Sequence, residues 1–223
     1  MLFDTKGHSF ERQIIMLNVR WYLSYKLSYR DLEEMARERG LDVDHTTIYR
    51  WVMKFTPGLE KAVRRLKRPS GKSWHLDETY IKVKGQWKYL YRAVDKEGNT
   101  VDYLLTAKRN RKAAQRFLSR AIKLNDEPIK ITIDKSGANT SAINDYNDDE
   151  GTDIEIRQSK YLNNIIEQDH RPIKQLCRVT LGFGRFRTAR ITIGGFESMR
   201  IIRKRQVRAE GNTSAEIFYS VAA

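Results

Sequence analysis

The sequence has a single cysteine, Cys177, and four histidines with no HExxH or HxxxH spacing. A disulfide framework and a cysteine-based zinc motif are both excluded. No apolar run approaches the length of a bilayer span, and the opening MLFDTKGHSFERQ is too polar for a signal peptide. A cytoplasmic protein with no membrane partner is expected. Internal repeats and low-complexity tracts are absent, which argues against a solenoid or a disordered chain. Acidic charge is in deficit: 28 Asp and Glu face 42 Lys and Arg, a formal net charge of +14. That balance points to a polyanionic partner, most often nucleic acid; a generally basic surface is the plainer alternative.

What is present is enough for a sizeable core, with 40% apolar residues in 223. The length suits one decorated domain or two small ones. Residues 10–26 place Phe10, Ile14, Leu17, Trp21 and Tyr25 at steps of three and four, the period of an amphipathic helix. In the following LSYRDLEEMARERGLDVDHTTIYRWVMKF, Ser28 and Asp31 form a variant capping box for a helix near 29–39. Gly40 suits its C-terminal stop, and Asp44 can cap a second helix over 45–55. This is a helix-turn-helix pattern whose second helix exposes Thr46, Thr47, Arg50 and Lys54, residue types that reach phosphates and base edges. A plain three-helix packing unit has the same outline. Pro57-Gly58 is expected to break the helix, and LEKAVRRLKRPSGKS to form a basic helix running into a linker near residue 70.

From residue 74 the texture changes. WHLDETYIKV, WKYLYRAVD and TVDYLLTAK read as three strands joined by hairpins. A helix over 111–125, a strand over 127–134, a helix near 139–148, a strand over 153–157 and further helices follow. The order fits a mixed α/β sheet flanked by helices.

Asp77 lies in an apolar, aromatic strand, where a carboxylate is costly without a partner. Asp134 stands at the carboxyl end of the fourth strand, where ligand sites of open α/β sheets gather. If the first and fourth strands are neighbours, both approach one point, and Glu167 can join them from a later helix. Three converging carboxylates suit Mg²⁺, and two such ions about 3.5–4 Å apart can drive phosphodiester chemistry. Mn²⁺ is expected to substitute. Other acids compete for these roles. Glu78 should point to the opposite sheet face and Asp169 off the Glu167 helix face, while Asp95 and Asp102 flank a hairpin. In NNIIEQDHRPIK, Glu167, His170, Arg171 and Lys174 are spaced to share one helix face, and Pro172 is expected to kink or break that helix.

The segments HLDETYIKVKGQWKYLYRAVDKEGNT, ITIDKSGAN and KYLNNIIEQDHRPIK resemble the transposases of the IS6 family of bacterial insertion sequences, over most of the chain. The resemblance implies a helix-turn-helix domain over 1–70, an RNase H-like DDE catalytic domain over 71–206 and a C-terminal tail over 207–223. It matches the family's metal-binding triad to Asp77, Asp134 and Glu167, its basic residue after the Glu to Lys174, and SYRDL and HTTIYRWV to its DNA-binding region. His170, Arg171 and Lys174 would then lie along DNA phosphates, with Lys135 and Asn139 as further DNA contacts. The implied activity is recognition of terminal inverted repeats, metal-dependent DNA cleavage and 3′-OH strand transfer in a cointegrate-forming transposition. A homo-oligomer holding two DNA ends is implied as well. Two rivals fit parts of the same sequence: an inert DNA-binding regulator on an RNase H-like scaffold, and a ribonuclease acting on RNA–DNA hybrids.

Overall fold

The structure, a computed structural model, describes residues 7, 9–134, 137–158, 164–180 and 182–223. Two compact units are distinguished: Met1–Arg68 together with Gln175–Ala223, and Pro69–Lys174.

The first unit is helical. Its elements are α1 (Arg12–Ser24), α2 (Tyr29–Arg37), α3 (His45–Leu66), the end of α6 (Asn164–Val179), α7 (Phe186–Arg203) and α8 (Ser214–Ala222). The Ser28 hydroxyl accepts from the Asp31 amide at 3.1 Å, and the Asp31 carboxylate accepts from the Ser28 amide at 2.6 Å, closing the capping box. Gly40 takes φ +70°, where a side chain would be strained. Asp44 caps α3 by accepting from the Thr46 and Thr47 amides.

Pro57 does not break α3, which runs unbroken to Leu66. Proline removes one backbone hydrogen bond. Thr56, Leu59, Ala62 and Val63 are buried around it, and α3 packs along α7, so burial outweighs the loss. Pro172 likewise sits inside a continuous α6. Residues 214–222, expected as tail, form a helix whose Ile217, Phe218 and Val221 are buried. The end of α3 is also tied down: Arg208 N–H donates to Leu66 O at 2.8 Å and Arg68 N–H to Gln206 O at 2.7 Å.

The second unit is a five-stranded mixed sheet with helices, the RNase H-like arrangement expected. Its elements are β1 (Ser73–Val83), β2 (Gln86–Asp95), β3 (Thr100–Thr106), α4 (Arg111–Asn125), β4 (Lys130–Ile133), α5 (Gly137–Glu150), β5 (Glu155–Gln158) and the start of α6. Strand order is β3-β2-β1-β4-β5. The first three strands are antiparallel, and β4 and β5 run parallel to β1. Trp74, Leu76, Tyr91 and Ile131 on one sheet face meet Phe117 of α4 and Ile143 of α5 in the core.

Candidate active site

Strand register assembles the site. His75 of β1 pairs with Thr132 of β4 in parallel, the last pair of that ladder. Two residues further along each chain stand Asp77 and Asp134, and a period of two puts both on the His75 face. β4 ends at Ile133, so Asp134 lies just beyond its carboxyl end.

Glu78 alternates to the other face, beside Leu76, Tyr91 and the α4 side. Even so, carboxylate oxygens of Asp77, Glu78 and Asp134 all lie within 4.8 Å of one another. β4 ends at Ile133, and the longer Glu78 side chain brings its carboxylate to the same point as those of Asp77 and Asp134. Arg109 holds Glu78 with two nitrogens, at 3.4 and 3.3 Å. Burial pushes the Glu78 carboxyl above its usual range; Arg109 opposes this, and the nearby Asp77 and Asp134 add to it. Three carboxylate oxygens grouped this closely are a donor set for a hard divalent cation.

A second layer lies on the Asp77 face. Arg92 of β2 is the register partner of Asp77 and is fully buried. Its Nη2 pairs with the Asp169 carboxylate of α6 at 2.5 Å, and its Nη1 lies 3.4 Å from His170 Nδ1. His170 Nε2 in turn lies 3.3 Å from Asp77 Oδ2. A guanidinium only donates, so Nδ1 must accept, which places the ring proton on Nε2, donated to Asp77. Burial lowers the His170 pKa, and it outweighs the Asp77 bond that raises it; Arg92 and Lys174 lower it further.

This corrects one expectation. His170 is 3% exposed and engaged with Asp77 and Arg92, so it faces the carboxylates rather than solvent. At about 100° per residue, Arg171 and Lys174 lie within about 40° of Glu167 around α6, whereas His170 is about 60° off, toward buried Ile166 and Ile173. Glu167, Arg171 and Lys174 are exposed. Among the described residues, the close carboxylate group contains Glu78 and not Glu167. Asp169 points off the Glu167 face, as the helical period requires, and finds Arg92 there. Asn139 is buried in the first turn of α5. Lys135 lies outside the described residues. In the helical unit, Thr46, Arg50 and Lys54 are exposed and Thr47 is half-buried. The Thr46 hydroxyl donates to Asp44 at 3.0 Å.

Sequence reasoning missed Arg92, Glu78 and Arg109. For Arg92 a signal existed: a charge inside the apolar run WKYLYRAVD needs a buried partner, just as Asp77 does.

A family profile described as a DDE domain matches residues 71–206, and one described as the transposase IS66 family matches 10–125. The transposase for insertion sequence-like element IS431mec of Staphylococcus aureus strain Mu50 is 39% identical over 201 residues, which is 90% of this chain and 88% of that protein. The transposase for insertion sequence element IS257 in transposon Tn4003, also from Staphylococcus aureus, is 39% identical with the same coverage. Among solved structures, the HTLV-2 integrase catalytic core domain in complex with magnesium (dimeric form) gives a TM-score of 0.46 at 18% identity, covering 69% of this chain and 99% of that one. The mixed sheet, its strand-end carboxylates and the matched profile define a DDE transposase, an enzyme. Within that class, the chain belongs to the IS6 family, through its likeness to the IS431 and IS257 transposases.

Proposed function

We propose that the chain cuts and joins DNA at the ends of its own mobile element. The observation that carries this reading is the approach of Asp77, within β1, and Asp134, just past the carboxyl end of the neighbouring β4, in a chain of a DDE transposase family. Residues 1–70 bind the terminal inverted repeats, with Thr46, Thr47, Arg50 and Lys54 of α3 contacting DNA. Of the 71–206 segment matched as a DDE domain, the unit Pro69–Lys174 carries the carboxylates and is the catalytic part.

Asp77, Asp134 and Glu167 are the metal ligands, and Glu78 adds a fourth carboxylate to the same pole. Divalent cations held there, two Mg²⁺ ions or Mn²⁺ in their place, supply Lewis-acid activation of the attacking oxygen and neutralise charge on the phosphodiester. The chain's own residues position the rest. His170 orients Asp77, and Arg109 orients Glu78. Arg171 and Lys174 take phosphates of the bound strand, Arg as a fork and Lys as a point charge.

In the first step a water oxygen bonds to phosphorus at the element end, and the displaced 3′-oxygen leaves as a free 3′-OH. In the second, that 3′-oxygen bonds to a target phosphorus and displaces the target's own 3′-oxygen, so the number of phosphodiesters is conserved. The outcome is a cointegrate. Holding two ends together calls for a second copy of the chain. Among the described residues no helix is long and apolar enough to cross a membrane.

The test is a strand-transfer assay. A labelled duplex carrying the element's terminal sequence is incubated with target plasmid and Mg²⁺, using wild type and Glu167→Gln. The variant should lose roughly 10³-fold in joined product, the effect of removing one charged metal ligand, while end binding persists. Equal activity in the variant would remove Glu167 from the ligand set and leave Glu78 as the third acid. No product from wild type, with specific end binding intact, would favour an inert regulator.

A further inference from the structure

The β1–β2 hairpin extends past the carboxylates with two unlike faces. On one, Thr79, Ile81, Val83 and Leu90 are buried. On the other, register pairs Tyr80 with Tyr89 and Lys82 with Trp87. Trp87 is 59% exposed and Tyr80 50% exposed. Their rings meet edge to face, with centroids 6.3 Å apart, and Tyr89 lies 5.5 Å from Tyr80. The Lys82 ammonium sits 5.9 Å from the centre of the Trp87 ring, and Lys84 is exposed at the turn. By the two-residue period this is the face of Glu78, and Tyr80 is the next residue outward on it. Large aromatics exposed together are uncommon on a surface that has no partner.

We infer that this face is a stacking platform for an unpaired nucleobase of the DNA strand processed at the carboxylates. Paired bases hide their ring faces in the duplex stack, so an exposed indole and phenol gain most from a base that has left it. Stacking of this kind is tolerant of sequence, and adjacent lysines supply the attraction for the flanking phosphates. A second copy of the chain is a poorer occupant, because Lys82 and Lys84 would be brought against another chain of formal charge +14. The inference rests on the transposase reading for its substrate, DNA.

The test uses the full chain and two probes: a single-stranded oligonucleotide containing 2-aminopurine, whose fluorescence is quenched on stacking, and a fully paired duplex of the same length. Wild type should bind the single strand and quench it. Trp87→Ala should weaken single-strand binding roughly tenfold and remove the quenching, with duplex affinity changed less than twofold. Trp87→Phe should recover most of the loss. Because Trp87 is exposed, its variants should keep the wild-type melting temperature, and Tyr80→Ala provides a second variant. Unchanged single-strand binding and quenching in Trp87→Ala and Tyr80→Ala would overturn the inference. So would a fall in sedimentation mass with DNA binding intact, which would make the face a contact between copies. No step of this test needs cleavage. If strand transfer fails while Trp87-dependent quenching persists, the transposase reading fails and the platform stands; the reverse pattern removes the platform alone.

Discussion

His170 Nε2 lies 3.3 Å from Asp77 Oδ2, and the ring is held from behind by Arg92, whose own carboxylate partner is Asp169. A chain of buried polar contacts thus links helix α6 to the first acid of the site. Fixing the orientation of a metal-binding carboxylate in this way is commonly worth 10–100-fold in metal affinity or activity. His170→Ala should therefore raise the Mg²⁺ concentration needed for half-maximal strand transfer by roughly that factor. His170→Asn, whose amide can still donate, should recover part of it. A variant that melts as wild type does and shows an unaltered Mg²⁺ titration would leave His170 without a positioning role.

In the helical unit, Gly195 of α7 passes close to α1 and α3. A methyl group at this position would meet the Leu23 side chain and, at 2.7 Å, Thr56 Cγ2. Thr56 and Leu23 are both fully buried and have little room to move. Gly195→Ala should destabilise the protein by about 1–3 kcal/mol through overpacking, despite alanine's better helix propensity. A denaturant melt that shows a gain in stability would contradict this packing.

Cys177 and Tyr22 of the same unit contribute to alkaline behaviour. Burial pushes the Cys177 thiol up to about 12, with Glu197 adding to it, and burial pushes the Tyr22 hydroxyl up to about 12 as well. Above the ordinary thiol and phenol values, the unfolded chain releases these protons while the folded chain keeps them. Stability should consequently fall from about pH 9 toward pH 12. At pH 8 the folded thiol should react with iodoacetamide far more slowly than the unfolded one, since only the thiolate attacks. Equal alkylation rates in native and denatured protein would contradict the raised thiol of the half-buried Cys177.

Much of this was legible in the sequence, and the missing parts have physical causes. Capping at Ser28 and Asp44 is local, so it could be read directly. Asp77 and Asp134 stood out as acids out of place in a core, and the structure brings their carboxylates close together. Pro57 misled because propensity says where a helix is weak, while burial along α7 decided that it continues. Glu78 was assigned the opposite face from Asp77, and alternation alone does not show that its carboxylate still comes close to those of Asp77 and Asp134. His170 was placed with exposed Glu167, Arg171 and Lys174 because spacings of three and four both count as one face. Burial separates them, and it is not written in the spacing.

Arg50 and Lys54 are exposed on α3, one turn apart. If they contact DNA phosphates, Arg50→Ala should weaken binding to element-end and random duplex alike, and should lower the slope of log affinity against log salt by about one. A loss confined to the element-end sequence would instead assign Arg50 to a base edge.

The most direct measurement of the central claim is Mn²⁺ binding by electron paramagnetic resonance, with Asp77→Asn and Asp134→Asn beside wild type. Wild type should show saturable binding that Mg²⁺ displaces, and binding should raise its melting temperature. Each variant should lose both effects while keeping its fold. Mn²⁺ binding of wild-type strength in either variant would contradict a metal centre built on Asp77 and Asp134.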